Sequence, residues 1–228
     1  MKPTYILGDN HGDYEAVFSA LKERGIRDAT VIHVGDGAEG FPGWNASTAK
    51  RLNGRFSSLG IEYLSIRGNH SDPDFFDGRV MLPNFKLLRD YTTLHLNGQS
   101  WLVVGGAISI DRLHRLPGRT WWLGEAFELR EDLAQPADVL VTHSGPEWIG
   151  PGCRNELVRA WANAEAVVGC DTLISELQAE RQAHEKLFRL VKPKIWYLGH
   201  FHERAEKPYL GCRTRILDCN ELILHQPS

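Results

Sequence analysis

Tyr5-Ile6-Leu7-Gly8-Asp9-Asn10-His11 is a short apolar run followed directly by metal-binding side chains, and that arrangement returns four times along the chain with Asp, Asn or His in the second part. Val31-Ile32-His33-Val34 leads into Gly35-Asp36, and Tyr63-Leu64-Ser65-Ile66 into Arg67-Gly68-Asn69-His70. Val139-Leu140-Val141 leads into Thr142-His143, and Ile195-Trp196-Tyr197-Leu198 into Gly199-His200-Phe201-His202. Short apolar runs bounded by glycine and polar residues read as buried strands. In open α/β folds ligands gather beyond the carboxyl ends of such strands. Together the five ends supply enough Asp, Asn and His side chains for a two-metal hydrolytic site.

Working outward, strands near 4–8, 30–34 and 61–66 alternate with helix-like stretches near 13–24 and 46–58. This βαβαβ order implies parallel strands joined by right-handed crossovers. From about 79 to 111 the texture changes to short β-rich pieces, Lys86-Leu87-Leu88, Thr92 to Leu96 and Trp101 to Val104, with Asn97-Gly98 as a hairpin signal. These pieces predict a second, antiparallel sheet. Helices are predicted near 125–134, 155–167 and 171–191, the last stopped by Pro193. Thr214 to Leu217 and Glu221 to Leu224 flank Asp218-Cys219-Asn220 and read as a hairpin packed on the second sheet. The sum is one α/β domain over 1–228, with two sheets between two helical layers.

The chain has 228 residues, 42% of them hydrophobic, which is enough to bury a full core. A formal charge of −3 provides no broad basic field, so strong general nucleic-acid binding is not expected. Cys153, Cys170, Cys212 and Cys219 show no Cys-x-x-Cys spacing, and reduced structural thiols are the expectation. The N-terminal residues run directly into the first strand with no apolar stretch long enough for a signal peptide or membrane span, so a cytoplasmic location without membrane association is expected.

The blocks run in the order Asp-x-His, Gly-Asp-x-x-(Asp/Glu), Gly-Asn-His, a lone His after a strand, and Gly-His-x-His. From Gly8 to His202 this resembles the calcineurin-like metallophosphoesterases. The resemblance implies an α/β/β/α sandwich of two mixed sheets, with a dinuclear metal centre at the strand carboxyl ends. It implies that Asp9, His11, Asp36 and His202 hold one metal, that Asp36, Asn69, His143 and His200 hold the other, and that Asp36 bridges the two. Cations about 3.5–4 Å apart need a shared anion, and such a pair clamps the attacking and departing oxygens of a phosphoryl displacement. The all-nitrogen and oxygen ligand set favours Mn, Fe, Zn, Co or Ni over plain Ca or Mg sites, with Mn first.

By the same resemblance, a hydroxide bridging the metals attacks a phosphate ester directly, and His70 donates a proton to the leaving oxygen or stabilises transition-state charge. In the protein-phosphatase branch a carboxylate three residues after the bridging Asp orients this histidine. Here that position is Glu39, with Asp72 as the nearby alternative. The branch has an arginine next, where this chain has Gly40. Arg67, Arg112, Arg115, Arg119 and Arg154 are candidate replacements on the substrate phosphate, with Arg154 and Arg112 ranked highest. Trp121-Trp122 is a candidate cleft wall, whereas His33, His95, His114, His184 and His225 read as structural or surface residues. The expected function is hydrolysis of phosphomonoesters, on phosphoproteins or nucleotides. A phosphodiesterase acting on cyclic nucleotides or nucleic acid is the alternative, and an inactive metal-binding scaffold is the alternative from another class.

Overall fold

The computed structural model describes residues 2–227. In the first half, β1 (Thr4–Leu7), β2 (Thr30–His33) and β3 (Glu62–Ser65) are connected by α1 (Tyr14–Glu23) and α2 (Ala46–Ser58). Each strand has one face toward a helix and one toward the second sheet, so successive residues divide between two cores. Leu7, Val31 and Tyr63 pack with Val17, Phe18 and Leu21 of α1 and Leu52 and Phe56 of α2. Ile6, Ile32 and Leu64 point the other way and meet the facing sheet. Asp13 starts α1 by accepting from Ala16 N at 3.0 Å, and Asn45 starts α2 by accepting from Ser47 N and Thr48 N.

The remaining strands are β4 (Met81–Leu82), β5 (Phe85–Leu87), β6 (Thr92–Leu96), β7 (Gln99–Val104), β8 (Val139–Thr142), β9 (Ile195–Leu198), β10 (Ala205–Glu206), β11 (Arg213–Ile216) and β12 (Leu222–Leu224). One sheet has the order β12-β1-β2-β3-β5-β4 and the other β10-β11-β9-β8-β7-β6. In each, four parallel strands are flanked by an antiparallel strand at either edge. Trp101, Val103, Val139, Val141, Ile195 and Tyr197 fill the space between the sheets from the second sheet's side. Leu187, Phe188 and Val191 of α4 (Leu173–Val191) cover its outer face. With α3 (Glu156–Val167) beside α4, this is the four-layer α/β/β/α sandwich expected.

Three local expectations are corrected. The second sheet is mixed rather than antiparallel, and Met81 to Leu87 belongs to the first sheet, where β5 runs parallel to β3. Arg213 to Leu224 is not a hairpin: β11 pairs with β9, β12 pairs with β1, and the residues between them cross from one sheet to the other. Residues 125–134 do not form a helix. There the buried Arg67 guanidinium takes the carbonyls of Gly124, Glu125 and Ala126 at 3.0, 2.7 and 3.0 Å, and carbonyls engaged in this way are lost to helical hydrogen bonds.

Candidate metal centre

All five motifs leave strands that run parallel within their sheets, so their carboxyl ends share one edge of the sandwich. There the ligand atoms of Asp9, His11, Asp36 and His202 lie within 4.8 Å of one another. His202 Nε2 is 3.3 Å from Asp9 Oδ2 and 3.0 Å from His11 Nε2. His143 Nε2 approaches Asp36 Oδ1 at 3.2 Å and Asn69 Oδ1 at 3.1 Å, and His200 Nδ1 lies 2.9 Å from that same amide oxygen. The structure therefore brings together all seven side chains expected at the metals. Asp9, Asp36, Asn69 and His143 are buried, whereas His11 and His202 are exposed on the rim.

The backbone is bent to make this possible. His11, Asp36, His200 and His202 all have left-handed conformations, with φ of 45°, 61°, 66° and 48°. Non-glycine residues hold such values at a cost of about 1–3 kcal/mol each, and only where surrounding bonds fix them. The bonds here are His11 N to Asp36 O at 2.8 Å, His200 N to Asp9 Oδ2 at 2.9 Å and His70 N to Asp36 Oδ1 at 2.7 Å. A Cβ at Gly68 would stand 2.0 Å from Asp36 Oδ1, so the glycine before Asn69 is what lets the third strand end close against the carboxylate.

The donor set fits a pair of cations. His143 Nδ1 donates to the Val34 carbonyl at 2.9 Å, which turns the lone pair of Nε2 toward the oxygens of Asp36 and Asn69. Acceptors facing acceptors need a positive charge between them. Burial opposes protonation of His143, but the carboxylates of Asp36 and Asp9 raise its pKa to about 9, so in the metal-free site a proton takes that place. Asp9 Oδ1 is buried with no hydrogen-bond partner, a further oxygen left for a ligand from outside the chain.

A cavity of about 400 Å3 opens onto this cluster, lined among others by Asp36, His70, Arg115, Trp161, Arg181 and Phe201. His70 lies at its mouth with Nε2 4.0 Å from Asp36 Oδ2. Glu39, expected to orient His70, does not touch it. Its carboxyl accepts from Tyr14 Oη at 3.1 Å and Ser71 Oγ at 2.8 Å, and burial raises its pKa to about 7. Nor does Asp72 reach the imidazole: it caps the turn at Asp74 N. His70 is instead held by Arg115 Nη2 at 2.5 Å, with the Phe41 ring parallel to it at a centroid distance of 5.9 Å. A guanidinium only donates, so Nε2 of His70 accepts and Nδ1 carries the proton.

The expected phosphate arginines are placed differently from their ranking. Arg67 is buried against Asp90 and the carbonyls of 124–126. Arg112 pairs with Glu165 and Glu176 between α3 and α4. Neither it nor Arg154 is among the residues lining the metal cleft. Arg115 does line it, paired with Asp111 at 2.8 Å. The i,i+4 spacing of Asp111 and Arg115 was the available signal, while the partners of Arg112 lie far away in sequence. At Gly40 a Cβ would fall 2.3 Å from the Cβ of Asp72, so no side chain fits where the resembled branch has its arginine. Trp121 and Trp122 separate as adjacent indoles must: Trp121 donates to Glu125 at 3.0 Å, and Trp122 packs on Phe41 at 5.3 Å. A larger apolar cavity of about 1030 Å3 lies beyond, and Arg115 lines both cavities.

No family model and no curated protein sequence matches this chain. Among solved structures, it is similar to a candidate 5'-nucleotidase from Staphylococcus aureus, with a TM-score of 0.51 and 14% identity over 96% of this chain and 48% of that one. The chain thus spans about half the length of that protein. A phosphopantetheinyl hydrolase from Mycobacterium tuberculosis gives a TM-score of 0.48 and 12% identity over 99% of this chain and 97% of that chain. A 5'-nucleotidase precursor from Thermus thermophilus gives 0.46 and 13% over 96% of this chain and 49% of that one. At 14% identity the likeness to the Staphylococcus aureus structure establishes the fold alone. Among the described residues, no helix is long and apolar enough to cross a membrane.

Proposed function

We propose that this chain, whose fold is that of the calcineurin-like metallophosphoesterases, is a dimetal-dependent hydrolase of phosphomonoesters. The observation that carries the reading is the convergence of Asp9, His11, Asp36, Asn69, His143, His200 and His202 where the carboxyl ends of both sheets meet, with their ligand atoms turned toward one another. Asp9, His11, Asp36 and His202 would hold one cation and Asp36, Asn69, His143 and His200 the other, with Mn first and Fe, Zn, Co or Ni as alternatives. When bound, such a pair lowers the pKa of water and neutralises charge on the phosphoryl group.

The chain's own residues do the rest. Arg115 stands beside His70 at the cleft mouth, within reach of both the metal ligands and the cavity. An arriving phosphate offers it a charged acceptor in place of a neutral imidazole, and charge-assisted contacts are the stronger ones. That exchange frees His70 Nε2 to face the leaving oxygen. Burial, with help from Arg115, holds His70 near a pKa of about 4, so it is neutral at pH 7 until a phosphate dianion beside it favours the protonated form. Glu39 supports the Asn69–Asp72 turn through Ser71 and through its own carbonyl, which accepts from Asp72 N at 2.7 Å.

The test is turnover of an aryl phosphate monoester and the matching diester by metal-free protein reconstituted with Mn. Faster monoester hydrolysis, abolished by Asp36→Asn, is expected. Faster diester hydrolysis would replace this reading by a phosphodiesterase. Bound metal with silence on both esters would replace it by a metal-binding scaffold.

A further inference from the structure

The crossover from β11 to β12 passes over the carboxyl end of β1 and is fastened there. Asn220 N donates to Asp9 O and Gly8 N to Glu221 O, both at 2.8 Å, and Asn220 is left-handed with φ of 56°. The fastening stands Cys219 over the rim of the metal centre. Its Sγ and one ring nitrogen each of His11 and His202 lie within 4.8 Å of one another, and all three residues are exposed. The same two imidazoles belong to the cluster with Asp9 and Asp36. Cys219 lies outside every motif, so no local pattern marks a thiol for this place. Two imidazoles and one thiolate suit a borderline cation such as Zn2+ better than Mn2+.

We propose that His11, His202 and Cys219 form an outer metal position for a thiophilic divalent cation, sharing both histidines with the inner carboxylate set. A cation bound there displaces the thiol proton to solvent and forms a metal–sulfur bond, with no change of oxidation state. Because the outer position draws on the same two imidazoles as the His11–His202 half of the inner centre, the two compete for them. Thiophilic metals therefore capture the two histidines outward, and hard metals leave them with Asp9 and Asp36. The inference rests on the proposed function only in taking Asp9, His11, Asp36 and His202 as metal ligands.

The experiment is a Cd2+ titration of the metal-free protein followed by ultraviolet absorption, with bound metal measured directly. A thiolate-to-metal charge-transfer band is expected in the wild type and in Cys170→Ser, and is expected to be absent in Cys219→Ser. On the unmodified chain, Zn2+ is expected to slow alkylation of Cys219 by roughly tenfold or more, read by peptide mass spectrometry, because a coordinated sulfur is a poor nucleophile. Mn2+ is expected to slow it much less. Metal bound with no band and unchanged alkylation would overturn the outer position and leave the phosphoesterase reading standing. No metal bound at all would overturn both.

Discussion

Arg115→Ala removes the guanidinium that stands between His70 and the cleft, where it bonds His70 Nε2, Asn69 O at 3.3 Å and Asp111 at 2.8 Å. If Arg115 is the phosphate clamp, the variant loses one charge-assisted contact, worth about 1.5–3 kcal/mol. At 1.36 kcal/mol per decade, kcat/KM on a phosphomonoester falls by roughly 10- to 150-fold. Arg115→Lys keeps the charge without the planar fork and recovers part of the loss. A second readout separates clamping from mere packing. The positive charge of Arg115 is one of the causes that, after burial, depress the His70 pKa, so in metal-free Arg115→Ala that pKa rises from about 4, measurable by imidazole NMR titration. Arg112→Ala is the control: it leaves the buried Glu165 without its partner, so it costs stability while KM stays near the wild-type value. A kcat/KM in Arg115→Ala within twofold of wild type, or equal catalytic losses in the two variants, would refute the assignment.

His70→Ala is expected to slow alkyl phosphates far more than aryl phosphates, because an aryl oxide departs without a proton; equal slowing of both series would remove His70 as the acid. Gly68→Ala would drive a Cβ to 2.0 Å from Asp36 Oδ1, so the third strand end must retreat; direct metal analysis should show occupancy lost while far-UV circular dichroism is kept, and full occupancy would show that the close approach is dispensable. His184 is buried, donates through Nδ1 to Glu180 O at 3.0 Å, and stacks on Phe127 at 4.0 Å, and burial lowers its pKa to about 3. The unfolded chain then binds a proton that the folded chain refuses between pH 6.5 and 3, so stability is lost as pH falls through that window, by about 2 kcal/mol from pH 6.5 to 5. Urea unfolding should show the wild type losing about 2 kcal/mol more than His184→Phe between the two pH values; equal losses in the two proteins would place that acid sensitivity elsewhere.

What could be read from the sequence was what is local and repeated. Ile6, Ile32 and Leu64 alternate with Leu7, Val31 and Tyr63 because a strand between two layers must be apolar on both faces, and that pattern lies within a few residues. The motif glycines and ligands follow each strand directly, so two facing sheets whose parallel strands end on the same side were enough to place seven side chains together. The same logic explains why Asn97-Gly98 was legible as the β6–β7 turn: both residues adopt positive φ, of 54° and 78°, in a turn whose geometry is set by those two residues alone.

What was not legible depended on partners distant in the chain. Residues 125–134 carry a helix-like sequence, yet Arg67, nearly sixty residues earlier, claims the carbonyls of 124–126 and so dictates an irregular path. That single commitment also takes Arg67 out of the substrate site, and the ion pairs with Glu165 and Glu176 do the same for Arg112. Both arginines were plausible by position, and both are consumed in holding the 105–129 segment and the α3–α4 layer in place. Arg115 is left at the cleft because Asp111 anchors it from within its own turn, where it can still exchange His70 for an incoming anion. The division is physical: strand ends deliver ligands by register, whereas loops deliver specificity only after their charged residues have been allotted to neighbours. A substrate arginine in this fold is therefore recognised by the absence of a buried carboxylate or carbonyl cage around it, which is a tertiary fact. Exchanging Asp111 for Asn tests this allotment without touching Arg115 itself: the guanidinium loses its local anchor, and KM for a phosphomonoester should shift by less than in Arg115→Ala but in the same direction. A shift in the opposite direction would mean that Asp111 withholds Arg115 from the phosphate rather than positioning it.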